Sequence, residues 1–453
     1  MKPTAGTAAP AKGSGRNASL RRGQNIVILG AGFAGVSAAR RLARLLPGAG
    51  DARITLIDQR NYLLFTPMLP EVAGGELDPL DIVRPPRLIS PRIEFLQAAV
   101  EDADLSRKRV TLRVAGEVRT VPADYLVIAL GSLANFHDVP GVGERALTMK
   151  SLEDAQLLRN RAIEMLEQAE AEQGGEKRRG LLTFVVAGGG FTGVETAAAL
   201  NGFVREAARQ YPSIREQEIE TYVIEPGERL LKELDADLAG YAREKLEQGG
   251  VRVICGAKLA CAEEDSIELA GGRRIPTRTL VWAAGVKPSP VVEKLDCRRG
   301  RQGGIVVDRR CQIEGHERAW AIGDCAEVPE AQGQGTYAPT AQNATREGEC
   351  VAENIVRVMR GEAQQPFRHR TIGEMALVGR RAGVGSVYGL HFSGAGAWAL
   401  WRLVYLSKMP GWRQRARILF DWMLDFAFGR PTAAIPPVSA DMGFEAPAPA
   451  AHP

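Results

Sequence analysis

The chain has 453 residues, a formal net charge of +4, and a composition that is 45% hydrophobic and 25% charged, which is ordinary for a globular protein with room for two or three domains and a large core. So mild a positive excess argues against a nucleic-acid partner. No run of about 18 apolar residues is present to span a bilayer as a helix, and the six cysteines include no CxxC and read as scattered reduced thiols.

Residues 1–23 are small, polar and basic with no apolar stretch of the signal-peptide kind, so a disordered tail is expected there. Next comes NIVILGAGFAGVSAARRLARLL. Its apolar start suits a buried parallel strand, and Gly30, Gly32 and Gly35 follow in the GxGxxG order. The first glycine permits a sharp strand-to-helix turn, the second lets a pyrophosphate touch the backbone, and the third lets the helix pack closely on the sheet. The helix start then offers free N–H groups to an anion. A strand ITLID ends in Asp58, placed to accept hydrogen bonds from a ribose.

The pattern recurs. LTFVVAGGGFTGVETAAALNGFV supplies Gly188, Gly190 and Gly193, and a strand within ETYVIEPGERLL ends in Glu225. Two such units imply two dinucleotides. A carboxylate at Glu225 suits a free ribose 2′-hydroxyl and repels a 2′-phosphate, which favours NADH over NADPH. An insertion of about ten residues precedes that second strand and makes its register less certain than that of Asp58. Two more apolar strands close on glycine, DYLVIALGS at Gly131 and TLVWAAGVKPSP at Gly285, and RAWAIGDCAEVP ends a strand in Gly323-Asp324.

Near the C-terminus, residues 398–422 hold four of the six tryptophans, and from Arg368 to Phe420 there are nine Lys or Arg against one acid, Glu374. On a helical wheel Arg413, Gln414, Arg417, Asp421 and Asp425 share one arc. Trp412, Leu419, Trp422, Met423 and Phe426 lie opposite, with Arg415 intruding. Trp at a lipid headgroup boundary and basic side chains near an anionic leaflet make this segment a candidate for lying on a membrane. Packing on the rest of the protein, or a homodimer, is the other use of such a face. Residues 431–453 are Pro- and Ala-rich and are expected to be a second disordered tail.

These motifs resemble the two-dinucleotide flavoproteins from about residue 24 to 370, and within them the type II NADH:quinone oxidoreductases. LIDQRNYLLFTPMLPEVAGG resembles that family's segment beside the flavin, GGGFTGVE its second glycine loop, and APTAQNATREG its quinone-side helix. GEMALVGRRAGVGSVYGLHFSGAGAWALWRL resembles its C-terminal membrane-docking region. The resemblance implies an α/β fold with two Rossmann-like domains, the FAD domain being split by an inserted NADH domain, and then an amphipathic helical docking region. The expected division is 24–150 and 297–370 for FAD, 151–296 for NADH and 371–430 for docking.

The resemblance also implies FAD and NADH as cofactors, with Gln59, Val100, Gly131, Gly285, Gly323, Asp324, Ala341 and Gln342 joining the glycines, Asp58 and Glu225 as binding positions. Glu195, Gln342 and Arg346 become catalytic candidates. The expected activity is hydride transfer from NADH to flavin and two-electron reduction of a membrane quinone, without proton pumping, at the cytoplasmic face of the cell membrane.

Blander readings stand beside these. Glu195 would be an acid favoured in a helix's first turn by the dipole, Gln342 a surface amide, Arg346 a solvated charge, and Asp324 an ordinary Gly-Asp turn. The family usually has a second glutamine where this chain has Arg346, which keeps a soluble NADH-dependent reductase with a protein or other non-quinone acceptor as the alternative. A redox sensor or scaffold that kept FAD is a third reading. The helix VSAARRLARLL lacks the cysteine pair of a disulfide reductase, Cys350 has no evident partner for sulfide chemistry, and neither a metal-ligand cluster nor a Ser-His-Asp arrangement is readable.

Overall fold

The computed structural model describes residues 23–48, 50–331, 333 and 335–434. Five parallel strands form the first sheet, in the spatial order Ala319–Ala321, Tyr125–Ile128, Gln24–Leu29, Ala52–Asp58 and Ile93–Gln97. The apolar run predicted for the centre is there: Ile26, Val27, Ile28 and Leu29 are fully buried, each stabilising the fold by about 1.5–3 kcal/mol relative to exposure. Helix α1 (Phe33–Leu45) packs over this sheet. A three-stranded antiparallel sheet (99–122) lies at its edge.

The segment after Asp58 leaves this sheet, forms the short helix α2 (Leu69–Ala73) and joins the core of the second unit. That unit is again a five-stranded parallel sheet, ordered Leu147–Thr148, Thr279–Trp282, Thr183–Ala187, Glu220–Glu225 and Val251–Cys255, with helix α3 (Phe191–Ala208) following its second glycine loop. The ten-residue insertion is taken up by the length of α3 and a 3-10 turn at Glu216–Glu218, so Glu225 keeps the strand-end place of Asp58.

The chain crosses between the units twice, and the crossings pair as an antiparallel ribbon, Ser132–Ala134 with Val286–Pro288. The second sheet begins at Leu147, four residues before the boundary expected at 151, because its edge strand pairs with Thr279–Trp282. The return is also early: Val292 and Leu295 already pack in the first core, ahead of residue 297. Helix α4 (Ala341–Met359) then lies on α1. A Cβ on Gly348 would fall onto the Ala34 carbonyl, so that glycine sets how closely the two helices approach.

The last unit is an antiparallel three-stranded sheet (373–393) carrying helices α5 (Gly394–Lys408) and α6 (Trp412–Phe428). It packs on the second unit and α2: Trp401, Met409, Ile418 and Trp422 belong to that core. His391 pins its hairpin to the start of the helix Ala236–Gln248, 2.7 Å from Asp235 and 3.0 Å from Asp237. The tails expected at 1–23 and 431–453 lie outside the described residues except for Gly23 and 431–434. Residues 431 and 432 are anchored, since Arg159 donates to the Pro431 carbonyl at 2.7 Å and Thr432 to Gln210 at 2.8 Å.

Candidate functional site

The two glycine loops are built alike. Gly30 and Gly188 have φ of +103° and +114°, and a Cβ on either would strike the backbone of the neighbouring strand's end, at Ala129 and Ala283. At Gly32 and Gly190, by contrast, a Cβ would meet nothing within 4 Å, and these residues begin helices that have no side-chain cap. Each loop therefore presents an open face and uncapped N–H groups, which fits a pyrophosphate. The strand-end acids brace the loops. Asp58 accepts from the Ala31 N–H at 2.6 Å and the Arg60 N–H at 2.8 Å. Glu225 accepts from the Gly189 and Gly227 N–H groups, both at 2.7 Å. Burial pushes the Asp58 carboxyl above its ordinary range, against those N–H bonds.

Around the first loop the expected positions gather. Gln97 donates to the Gln59 carbonyl at 3.1 Å beside Asp58, and Val100 lies half-buried two residues beyond Ala98, whose N–H bonds the Asp58 carbonyl. Asp324 accepts from the Ser132 hydroxyl at 2.6 Å, and Lys150 is 3.6 Å from the same carboxylate oxygen. Gly131 and Gly285 flank the ribbon between the units, both with positive φ.

Sequence reasoning missed Glu347. This residue of α4 is buried and accepts the Gly323 N–H at 2.7 Å, holding the Gly-Asp turn; burial moves its carboxyl up to about 7. Its signal was weak, an acid inside an otherwise polar REGE run.

Glu195 is not in the first turn. Helix α3 starts at Phe191, so Glu195 is its fifth residue, out of reach of the uncapped N–H groups on which the dipole argument rested. It is buried beneath the C-terminal unit, where its carboxyl accepts from the Leu377 N–H at 3.0 Å and the Trp401 indole at 3.1 Å. Burial raises it to about 8 despite both bonds. Gln342, next to Ala341 at the start of α4, turns its oxygen to the Ile372 N–H at 3.0 Å and to His369 at 3.1 Å, tying α4 to the strand that follows. Arg346, one turn on, is half-exposed and donates to Glu349 at 2.9 Å. Cys350 is a thiol raised to about 11 by burial.

In α6 it is the polar arc that turns to the body of the protein. Arg417 pairs with the fully buried Asp81 and lies 3.7 Å from Asp78, while Asp421 accepts the Asp78 N–H at 3.0 Å. The polar arc of α6 therefore faces the protein. Leu419, Phe420, Met423 and Phe426 face outward. Trp422 leaves their company: it is buried and donates to Glu71 at 3.1 Å. Of the four clustered tryptophans only Trp412, 82% exposed, is an outward residue. Arg402 is held between the rings of Trp398 and Trp422, 4.5 and 4.4 Å from their centroids. Among the described residues no helix is long and apolar enough to cross a membrane.

A fold of two glycine-loop units, the first resumed after the second, is a two-dinucleotide flavoprotein, and the chain belongs to that class: the pyridine nucleotide-disulphide oxidoreductase family matches residues 24–348. The NDH2 C-terminal domain matches residues 372–431. The type II NADH:quinone oxidoreductase NdhA of Mycobacterium tuberculosis is 31% identical over 427 residues, covering 91% of this chain and 89% of that protein. A probable NADH dehydrogenase of Dictyostelium discoideum is 29% identical over 90% of each. The structure of NDH2 from Plasmodium falciparum in complex with NADH has the same fold, with a TM-score of 0.83 at 20% identity over 90% of this chain and 99% of that one. Within the class, the chain belongs to the type II NADH:quinone oxidoreductases, FAD-dependent enzymes that oxidise NADH and reduce quinone without pumping protons.

Proposed function

We propose that the first glycine loop, with Asp58, Gln59, Val100, Gly131, Asp324 and Ala341, holds FAD, and that the loop at Gly188–Gly193, with Glu225 and Gly285, holds NADH. The division into FAD, NADH and docking units carries the same assignment. Bound FAD supplies the ring that accepts the hydride and passes electrons on. The protein's share is placement: the open faces at Gly32 and Gly190 receive the pyrophosphates, Asp324 receives polar groups of the flavin's chain, and the paired crossings keep the two nucleotide sites facing. Glu195 is the buried acid beside the reaction, and Gln342 positions the quinone side of α4.

The observation that carries the quinone reading is the outward face of α6. With its polar arc fixed to Asp78 and Asp81, the helix presents Leu419, Phe420, Met423 and Phe426 to a lipid surface, with Trp412 and Arg413 at its start. Docked so at the cytoplasmic face, the enzyme would draw its quinone from the lipid and its NADH from the cytoplasm. The ion pair of Arg346 with Glu349 supports a surface role for that arginine rather than contact with another acceptor. The test is stopped-flow: NADH should reduce the bound flavin, and a soluble quinone should then reoxidise it. A flavin that NADH reduces but quinone leaves reduced would refute the reading.

A further inference from the structure

The order of the second sheet separates the two halves of a dinucleotide. Its strands are parallel, so their ends lie along one edge. The strand that feeds the second glycine loop, Thr183–Ala187, stands between Glu220–Glu225 and Thr279–Trp282. A pyrophosphate on that loop therefore has Glu225 on one side and the segment Ala283–Gly285 on the other. That segment leads into the ribbon joining the two units. It is also pressed against the loop: a Cβ on Gly188 would lie 2.6 Å from the Ala283 carbonyl, and the Ala283 N–H donates to the Ala187 carbonyl at 2.7 Å. With the adenosine at Glu225, the nicotinamide half of the nucleotide falls at Ala284 and Gly285.

A side chain from the opposite crossing holds this segment. After Ser132–Ala134 the chain turns through His137 and Asp138, at φ of +51° and +54°. His and Asp are among the few non-glycine residues that adopt this conformation, and it persists where the surroundings hold it. The Trp282 indole donates to the Asn135 carbonyl at 2.7 Å, and the Asn135 N–H donates to the Gly285 carbonyl at 3.1 Å. The His137 N–H donates to the Asn135 side-chain oxygen, also at 3.1 Å. The turn brings the imidazole to Ala284, with Nε2 3.1 Å from its carbonyl oxygen. A carbonyl only accepts, so Nε2 carries the hydrogen of this bond. A Cβ on Gly285 would lie 2.6 Å from the same nitrogen, so the ring occupies the space a side chain there would need.

The peptide between Ala284 and Gly285 is trans and planar, so its C=O and N–H point in opposite directions. Fixing the carbonyl on the imidazole fixes the Gly285 N–H on the far side. Among the described residues that N–H donates to no backbone carbonyl. We propose that His137 is a positioning residue for NADH, holding the Ala284–Gly285 peptide so that the Gly285 N–H is aimed at the nicotinamide half of the nucleotide. The proposal rests on the NADH assignment above. The imidazole acts through the peptide and touches no reacting atom. His137 is exposed, so its bond has the modest net worth of one formed in competition with water.

The test uses the full-length, flavin-loaded enzyme with His137→Ala and His137→Gln; the glutamine amide can still donate to the Ala284 carbonyl. Calorimetry with NAD+ measures binding without turnover, and stopped-flow separates flavin reduction by NADH from reoxidation by a soluble quinone. In His137→Ala the Kd for NAD+, and the NADH concentration that half-saturates flavin reduction, should each rise about fivefold, the range of one net hydrogen bond. Reoxidation by quinone should stay within about twofold of the wild type, and His137→Gln should recover most of the NAD+ affinity. Wild-type NAD+ affinity in His137→Ala would overturn the proposal. So would a glutamine variant as weak as the alanine one, or equal slowing of both half-reactions. Failure of the NADH assignment itself would show elsewhere: the unaltered enzyme's flavin would not be reduced by NADH.

Discussion

At the scale of single residues, the strand-end acids do two things at once. Glu225 braces its own loop through the Gly189 and Gly227 N–H groups, and in doing so fixes its carboxylate where a ribose would meet it. Glu225→Ala should raise KM for NADH by about tenfold, the loss of one charged hydrogen bond. NADPH should lose much less, because the same carboxylate repels its extra phosphate. Equal loss for both, in parallel steady-state titrations, would leave Glu225 only its bracing role. Arg346 makes the opposite case. It is half-exposed and paired with Glu349, and exposed pairs contribute little. Arg346→Gln should therefore shift kcat/KM for quinone by less than about threefold; a tenfold change would return it to the site.

At the scale of elements, the strands and glycine loops were legible because their demands are local. An apolar run that must end in a turn with φ of +103° needs glycine at that residue, whatever lies elsewhere. The sidedness of α6 was not legible. A helical wheel sorts residues into faces but does not say which face is inside, and the deciding partners are remote: Trp422 and Glu71 are 351 residues apart. With Asp78 and Asp81 waiting on the body, the charged arc is the one that faces it, and two of the tryptophans serve buried carboxyls instead of headgroups. Glu195 was legible as a candidate and illegible as a buried acid, for the same reason. The outward face can be tested by itself. Phe420→Glu with Met423→Glu should weaken flotation with anionic vesicles at least about tenfold, given the apolar burial each side chain would lose. Unchanged flotation, with a change in sedimentation instead, would make this face a contact between two copies. Arg417→Met should destabilise the fold by about 2–4 kcal/mol, since it leaves Asp81 buried without its cation; denaturant unfolding measures this.

At the scale of the molecule, the buried acids set how stability follows pH. Glu195 is raised to about 8, Glu347 and Asp81 to about 7, and Glu71 well above its usual range, all chiefly by burial. In the unfolded chain these groups release their protons near pH 4–4.5. Between there and their folded values the native state holds protons that the unfolded state has lost, so stability falls as pH rises, by at most about 1.4 kcal/mol per pH unit for each group. His391, raised by Asp237 and Asp235, acts in the same direction, its contribution being lost as pH climbs through its folded value. The opposing kind is represented by Glu218, lowered to about 2 by Arg178; its stabilisation is present above the unfolded value and disappears only as pH falls toward 2. It cannot offset the others above pH 5. The melting temperature should therefore decline between pH 5.5 and 8.5. Glu195→Gln, which stays neutral throughout, should flatten that decline, so that the variant gains on the wild type as pH rises. A melting temperature that climbs over this interval, or a Glu195→Gln profile parallel to the wild type, would mean that the acid beneath Trp401 is ionised in the folded enzyme.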